Sequence, residues 1–284
     1  MREKIKECLN FYQITDNSYL EKCYLCYDEL VKNPTIYQKF INLYGILYKS
    51  PFDNLRKLWK KKTIDELFGI SVNPFTTNLL LLLGAPVHQE NMKKLGFDSY
   101  QINKHLFRVR ECLLKDIYER GYSGIRVSQL LWGVYFINGK LIEIDRLQYE
   151  YVNDAIIKIH IPGGSKLEEE KVLSSLKKSY DELKKYFKVK NFKYYCESWL
   201  LSDEIHSLLN QESNIYQFYQ LFQVEKKEDC ISDILNFLYH KNEIANYNTL
   251  QEDTYLQKIV KKELLNGTVF HLGIGVLKEN KETE

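Results

Sequence analysis

The most restrictive feature of this 284-residue chain is the order of extended and helical patterns in its second half. Between Arg126 and Leu277 the patterns predict a hairpin, a strand, a long helix, another strand, a short helix, a further strand, helices and a last strand. A strand–helix–strand connection within one sheet implies two parallel strands and a right-handed crossover. We expect these two strands to splay apart, exposing backbone N–H and C=O groups that a narrow, amide-bearing ligand can satisfy.

Three strands are predicted before the long helix. Arg126–Ile137 and Lys140–Val152 flank Asn138-Gly139, a dipeptide that strongly favours a tight hairpin. A third strand, Ala155–Ile161, follows a turn. Because side chains alternate along a strand, one face of the third strand carries Ile157, Ile159 and Ile161, and the other carries Ile156, Lys158 and His160.

The long helix and the later elements complete the pattern. Lys166–Phe187 has an apolar stripe at helical spacing. The elements predicted after it are a strand at Phe192–Leu201, a short helix ending near Leu209, an extended segment at Ile215–Val224, helices at 229–240 and 253–265, and a strand at Thr268–Leu277.

The first part of the chain is predicted to be helical. Candidate helices cover 17–31, 35–48, 53–61, 75–83 and 98–120, separated by proline- and glycine-containing breaks. Asp98 is a plausible N-cap for the last of them. We therefore expect an α/β (α+β) protein with a helical domain at 1–121 and a mixed-sheet domain at 122–284.

Charge and hydropathy exclude several classes of protein. The 40 basic and 38 acidic residues are interspersed and give a net charge of +2, which does not favour nucleic acid as a partner. The longest purely apolar run, Leu79–Leu83, is too short to span a bilayer. The beginning of the sequence has no apolar stretch of signal-peptide length, so we expect a cytoplasmic protein.

The six cysteines are expected to be reduced and structural. Cys23 and Cys26 form a CxxC within a predicted helix, but no second CxxC or nearby Cys/His pair completes a tetrahedral zinc set. We therefore expect no metal site.

Several blocks of sequence resemble a family of bacterial proteins described as acyltransferase domain-containing, which pair a helical N-terminal domain with a GNAT-like C-terminal domain. The blocks are Asp145–Glu150, Ile159–Leu167, Cys196–Ser202, Glu212–Ile215 with Phe218 and Phe222, and more weakly Asp253-Thr254 with Leu256-Gln257. The order of elements in the second half is also that of the GNAT fold. The resemblance covers nearly the whole chain.

The resemblance implies transfer of an acyl group from an acyl-CoA, or from an acyl carrier protein, to a small-molecule amine, forming an N-acyl amide. In GNAT enzymes the loop after the third strand holds the coenzyme A pyrophosphate. Here that loop includes Ile161, Gly163, Gly164 and Ser165, and glycine lets the backbone approach a phosphate closely. These four residues are our candidate donor-binding residues.

A purely structural interpretation of this loop is also open. Ser165 and Glu168 have the spacing of a capping box, which would satisfy the free N–H groups of the helix internally. Glu168, Glu169 and Glu170 complement the helix dipole but would repel a pyrophosphate.

Three side chains are candidates for catalysis. His160 ends the third strand beside the loop, where it could take the proton from an attacking amine. Glu197 is a second candidate base, and Ser198, on the opposite face of the fourth strand, could donate a hydrogen bond to the thioester. Each also has a structural alternative: a histidine that fixes the loop, an exposed glutamate and a serine satisfied in the core.

Two functional hypotheses therefore remain at this stage. The first is an acyl-CoA-dependent N-acyltransferase in which the acceptor amine attacks the thioester directly. The second is a non-catalytic GNAT-like binding or regulatory protein, which the acidic start of the long helix favours.

Overall fold

The computed structural model describes residues 1–49, 52–241 and 244–278. The chain divides into two compact units, Met1–Glu143 and Ile144–Glu284. Within the described ranges, no helix combines the length and the apolar character needed to cross a bilayer.

The first unit is built from helices. They are α1 (Arg2–Phe11), α2 (Asn17–Lys32), α3 (Pro34–Lys49), α4 (Phe52–Leu58), α5 (Ile64–Phe68), α6 (Thr76–Leu82), α7 (Ala85–Leu95), α8 (Ser99–Tyr118) and α9 (Val127–Ile137). The expected helices at 17–31, 35–48 and 98–120 are confirmed, and Asp98 caps α8 by accepting a hydrogen bond from the Gln101 backbone. The break predicted at Gly84-Ala85-Pro86 separates α6 from α7, because proline is well tolerated in the first turn of a helix.

Helix α6 is the centre of this unit, since all seven of its residues are buried. Its one amide side chain, Asn78, donates to the hydroxyl of Tyr19 and the carbonyl of Leu113, and accepts from the backbone of Ile125. Burying a polar side chain costs little when its hydrogen bonds are satisfied in this way. Cys23 and Cys26 lie on α2 and are buried thiols, as expected from the helical pattern.

The strand predicted at Arg126–Ile137 is wrong: Val127–Ile137 is helix α9. Eight of its eleven residues are buried, among them Leu130, Leu131, Val134 and Phe136. A helix that is apolar on most sides gives no clear helical period, so a short apolar run of this kind cannot be assigned from periodicity alone. Asn138-Gly139 consequently ends a helix rather than forming the hairpin.

Two buried, uncharged histidines, His88 and His105, lie next to each other in the first unit. His88 Nδ1 lies 3.2 Å from the hydroxyl of Tyr12, and His88 Nε2 lies 3.5 Å from His105 Nδ1. Burial lowers the pKa of His105 to about 3 and holds the pKa of His88 well below its usual range. His105 is fully buried between the rings of Phe97 and Phe136.

These histidines should make the protein acid-sensitive. Between the folded-state pKa near 3 and the unfolded-state value near 6.5, the unfolded chain binds a proton that the folded chain does not. The free energy of unfolding should therefore fall by about 1.6 kcal/mol for His105 between pH 6.5 and pH 5. Urea unfolding across this range measures the slope. His105→Phe should flatten it, whereas His240→Asn, at an exposed site, should not; equal slopes in all three proteins would contradict this origin.

The sheet has six strands: β1 (Leu141–Ile144), β2 (Leu147–Asn153), β3 (Ile156–His160), β4 (Lys193–Ser198), β5 (Phe222–Asp229) and β6 (His271–Leu277), in the order β1-β2-β3-β4-β6-β5. The helices of this unit are α10 (Glu169–Phe187), α11 (Asp203–Leu208), α12 (Asn214–Gln220), α13 (Ile231–Leu238) and α14 (Tyr255–Leu265), with 3₁₀ turns at Trp199–Leu201 and Tyr247–Thr249. The predicted class, a helical region followed by a mixed sheet flanked by helices, is confirmed.

Two boundaries in this unit differ from expectation. The hairpin turn is at Asp145-Arg146, where Asp145 has a φ of 50°, so the predicted strand Lys140–Val152 is two strands. The segment predicted as extended at Ile215–Val224 is helix α12 followed by the start of β5. Ser213 caps α12 by accepting from the Tyr216 backbone, and a helix that begins at such a cap overrides the β-propensity of its aromatic residues.

Helix α10 is the crossover between β3 and β4 and packs on one face of the sheet. The hydroxyl of Tyr149 lies 2.9 Å from Ser175 Oγ, and the hydroxyl of Tyr194 lies 2.6 Å from Ser179 Oγ. Because Ser175 and Ser179 have small side chains, the helix approaches the two tyrosines closely. Helix α10 therefore covers the sheet face of Tyr149 and Tyr194. His160 follows Ile159, the partner of Tyr149 on β3, so its side chain lies on the opposite face.

The pairing between the parallel strands β3 and β4 stops shortly before either strand ends. They pair from Ile156 with Lys193 to Ile159 with Cys196. Beyond that point β3 continues beside β2, where His160 is the partner of Gln148, and β4 continues beside β6 as far as Ser198. The divergence predicted between Ile157–Ile161 and Tyr194–Ser198 is therefore wrong over most of its length, because the pairs from Ile157 with Tyr194 to Ile159 with Cys196 are formed. Only the last residue of β3, His160, lies beyond the pairing.

Candidate functional site

A polar cluster lies on the sheet face opposite α10, beside the end of the β3–β4 pairing. It consists of Glu150 on β2, Lys158 and His160 on β3, and Glu197 on β4, with Asp233 of α13 close enough to Glu197 to feel its charge. Strand alternation places these side chains on one face. We refer to these five residues as the polar cluster.

The best-defined pair in the polar cluster is His160 with Glu150. Nε2 of His160 lies 2.8 Å from a carboxylate oxygen of Glu150, and the two side chains are 17% and 8% exposed. They are diagonal neighbours across the antiparallel pair β2–β3, a separation that long side chains can bridge. With the carboxylate accepting from Nε2–H, Nδ1 is the basic nitrogen of the neutral ring.

Burial keeps His160 neutral over the physiological range. It lowers the pKa of His160, and the hydrogen bond and charge of Glu150 only partly oppose this effect. A neutral, oriented imidazole is the form that accepts a proton.

Glu197 is part of a charged network. It forms an ion pair with Lys158, and each of these side chains is partly exposed. Burial, followed by the negative charge of Glu197, raises the pKa of Asp233. When Asp233 is ionised, this end of the polar cluster has two carboxylates and one ammonium group, and the excess negative charge suits a cationic group.

The structure separates Ser198 from the other two candidate catalytic residues. Its hydroxyl accepts from the Leu200 backbone and caps the 3₁₀ turn that follows β4, which differs from the core-satisfied serine given as its structural alternative. Its neighbour Cys196 is fully buried, and burial raises the pKa of this thiol to about 12. Cys196 is accordingly a thiol and not a thiolate nucleophile at neutral pH.

The capping box predicted for Ser165 and Glu168 is wrong. Helix α10 begins at Glu169, Glu168 is its N-cap, and no side chain caps it. The reason is Arg146, whose guanidinium donates to the carbonyls of Pro162, Ser165 and Lys166 at 2.9, 2.8 and 3.0 Å. These bonds hold the segment Pro162–Leu167 as a loop, which we call the Arg146 loop.

The candidate donor-binding residues lie on or beside this loop. Gly163, Gly164 and Ser165 are exposed, and a side chain added at either glycine would meet no atom within 4 Å. Gly164 has a φ of +95°, which favours glycine. Ile161 joins the loop to β3, so the loop begins where the β3–β4 pairing ends.

Sequence reasoning proposed His160 and Glu197 but did not identify the Glu150–His160 pair or the loop contacts of Arg146. Glu150 could not be found from the turn alone, because a β-bulge between Tyr151 and Asn153 shifts the register and makes positions 150 and 160 diagonal neighbours. The Arg146 contacts cross 16 to 20 residues and leave no local signal.

Comparison with known proteins agrees with this architecture. Residues 137–277 match the model of a family described as GNAT-like C-terminal domain. No curated protein matches the chain.

Solved structures with a similar fold are acyltransferases. One, in complex with CoA and 10C-teicoplanin, is 20% identical with a TM-score of 0.63 over 72% of this chain and 66% of its own, slightly under two thirds of its length. An acyltransferase mutant in complex with octanoyl-CoA is 16% identical with a TM-score of 0.72 over 98% of this chain and 88% of its own. A third, in complex with decanoyl-CoA, is 16% identical with a TM-score of 0.65 over 97% and 99%. Through residues 137–277 the chain belongs to the family of proteins with a GNAT-like C-terminal domain.

Proposed function

We propose that this protein is an N-acyltransferase that moves an acyl group from an acyl-CoA thioester to a small-molecule amine. The observation that carries the proposal is the end of the β3–β4 pairing beside the His160–Glu150 pair. The same fold occurs in the acyltransferases solved with CoA, octanoyl-CoA and decanoyl-CoA.

The donor would lie at the strand edges beyond the last β3–β4 pair, with its phosphates at the Arg146 loop. The amide groups of a pantetheine arm match strand edges, and the backbone of Ile161, Gly163, Gly164 and Ser165 would contact the phosphate end. An acyl carrier protein presents the same arm with one phosphate, so it is the alternative donor.

The reaction needs one base and no covalent intermediate on the protein. The acceptor nitrogen attacks the thioester carbonyl while Nδ1 of His160 takes its proton. The C–S bond of the tetrahedral intermediate then breaks, the amide forms, and the thiolate recovers the proton from the imidazolium as free thiol. Glu150 stabilises the imidazolium between these steps, and the buried, protonated Cys196 supports direct attack over an acyl-cysteine route.

The acceptor is proposed to arrive as an ammonium ion and to release one proton to solvent, so that the neutral amine attacks the thioester. Glu197 and Asp233 make one end of the polar cluster negative, which would attract an ammonium group towards His160. Ser198 contributes by fixing the turn after β4. The six free, buried cysteines are consistent with a reducing compartment, and we propose a cytoplasmic location.

The proposal is tested by thermal shift and thiol release with acyl-CoAs of increasing chain length and a mixture of amines. A donor at 100 times its Kd should stabilise the fold by about 2.7 kcal/mol. Amine-dependent release of free CoA is the expected result. If no donor, acyl carrier protein included, produces a thermal shift or releases free thiol, the function is refuted.

A non-catalytic binding protein remains the second candidate. It is favoured by Glu169 and Glu170, which lie in the first turn of α10 beside the proposed phosphate site. A thermal shift with acyl-CoA but no thiol release with any amine would support it.

A further inference from the structure

Arg146 is the only arginine after residue 126 of the sequence, and its guanidinium donates to backbone carbonyl groups. It is 7% exposed and directs its three nitrogens at carbonyl oxygens of one loop, those of Pro162, Ser165 and Lys166. Only a guanidinium offers several donors in a fixed fork, so a lysine cannot reproduce this arrangement.

The direction of these carbonyls fixes the direction of the neighbouring amides. No peptide bond in the described part of the chain is cis. In a trans peptide the C=O and the N–H point opposite ways. Because the carbonyls of Pro162, Ser165 and Lys166 point at Arg146, the N–H groups of Gly163, Lys166 and Leu167 point away from it.

We infer that Arg146 is a positioning residue that turns the backbone amides of the Arg146 loop outward, so that they form the site for the phosphate groups of the donor. This inference rests on the proposed function. Three outward amides beside the exposed glycines form an anion-binding concavity without any cationic side chain having to touch the phosphate. The outward amides would offset the repulsion between a phosphate and the carboxylates at the start of α10. No side chain caps this helix.

The test pairs two variants with two donors. Arg146→Gln and Arg146→Lys are assayed with an acyl-CoA and with the matching acyl-pantetheine, which has the same thioester but no phosphate. We expect Arg146→Gln to raise KM for acyl-CoA about tenfold or more, with kcat within about twofold, because charged hydrogen bonds to phosphate are lost. Arg146→Lys should recover only part of this loss, and KM for acyl-pantetheine should not change in either variant.

Lys178→Ala is the matched control, since it removes a cation that pairs with Asp145, the neighbour of Arg146. Its KM for both donors should equal that of the unmodified protein. An equal rise of KM for both donors in Arg146→Gln would overturn the inference while leaving the function intact. So would equal KM values for the two donors in the unmodified protein, a measurement that needs no variant to fold. Failure of the function itself would appear as no thiol release from the unmodified protein with either donor.

Discussion

Replacing His160 by alanine is expected to lower kcat for acyl transfer by about 100-fold to 10,000-fold, the usual contribution of a positioned general base. The reason is that Nδ1 of His160 is the proton acceptor for the attacking amine and is held in place by Glu150 at 2.8 Å. KM for the acyl-CoA should change little, because the donor-binding residues lie on the neighbouring loop. Steady-state kinetics with continuous thiol detection measures both constants.

The matched control is His271→Gln. His271 also pairs with a glutamate, Glu204, at 2.9 Å, but it lies at the start of β6, outside the polar cluster. Its kcat should stay within a few-fold of the unmodified protein. A His160→Ala protein with normal kcat would exclude His160 as the base. Glu197→Gln would then show whether Glu197, the other candidate, takes the proton.

The pH dependence gives an independent check on the same pair. Activity should be full above the pKa of His160 and fall as the pH decreases through it, and burial places this acid limb below pH 6.5. Glu150→Gln removes the carboxylate that favours the protonated ring, so the limb should move to lower pH while kcat also falls. A limb that does not move would show that Glu150 has no electrostatic influence on the base.

The sequence predicted those features that arise from local patterns. Strand alternation placed Lys158 and His160 on one face, and the length of the helix before β4 identified the parallel crossover. The helical cap at Asp98 was equally local. Each of these features is encoded within a few residues, where propensity and periodicity act.

The features that were missed depend on long-range packing. Helix α9 is buried on most sides, so its sequence has no exposed face to reveal the helical period. Ser165 has a capping-box pattern, yet its carbonyl is held by Arg146, which lies 19 residues away in the sequence. The strength of the His160–Glu150 pair similarly depends on how deeply the fold buries the two side chains. Tertiary contacts override local preference at these positions, and they are also the positions where the proposed site lies.

Gly273→Ala is expected to destabilise the second unit by about 2 to 3 kcal/mol, the upper part of the range for overpacking a filled site. A Cβ added to Gly273 would lie 2.1 Å from the carbonyl oxygen and 2.5 Å from Cβ of Leu201. The first of these is a backbone atom, so no rotamer change relieves the clash. The 3₁₀ turn Trp199–Leu201 would have to move away from β6. The turn lies beside Gly273 because Ser198, the residue before the turn, pairs with Gly273. The distances therefore show that Gly273 packs closely against Leu201.

The measurement is urea unfolding followed by the fluorescence of Trp199, the only tryptophan after residue 132, in a Trp59→Phe, Trp132→Phe background. Gly45→Ala, in the first unit and followed by the fluorescence of Trp59 and Trp132 with both retained, is the control with the opposite expected sign. Gly45 is inside α3, a Cβ there would meet nothing within 4 Å, and alanine is favoured over glycine in a helix by up to about 1 kcal/mol. Because the turn moved by Gly273→Ala follows directly after Glu197 and Ser198, thiol release should decrease together with stability. A variant with an unchanged unfolding midpoint would show that the turn shifts without cost and that close packing does not require glycine at this position.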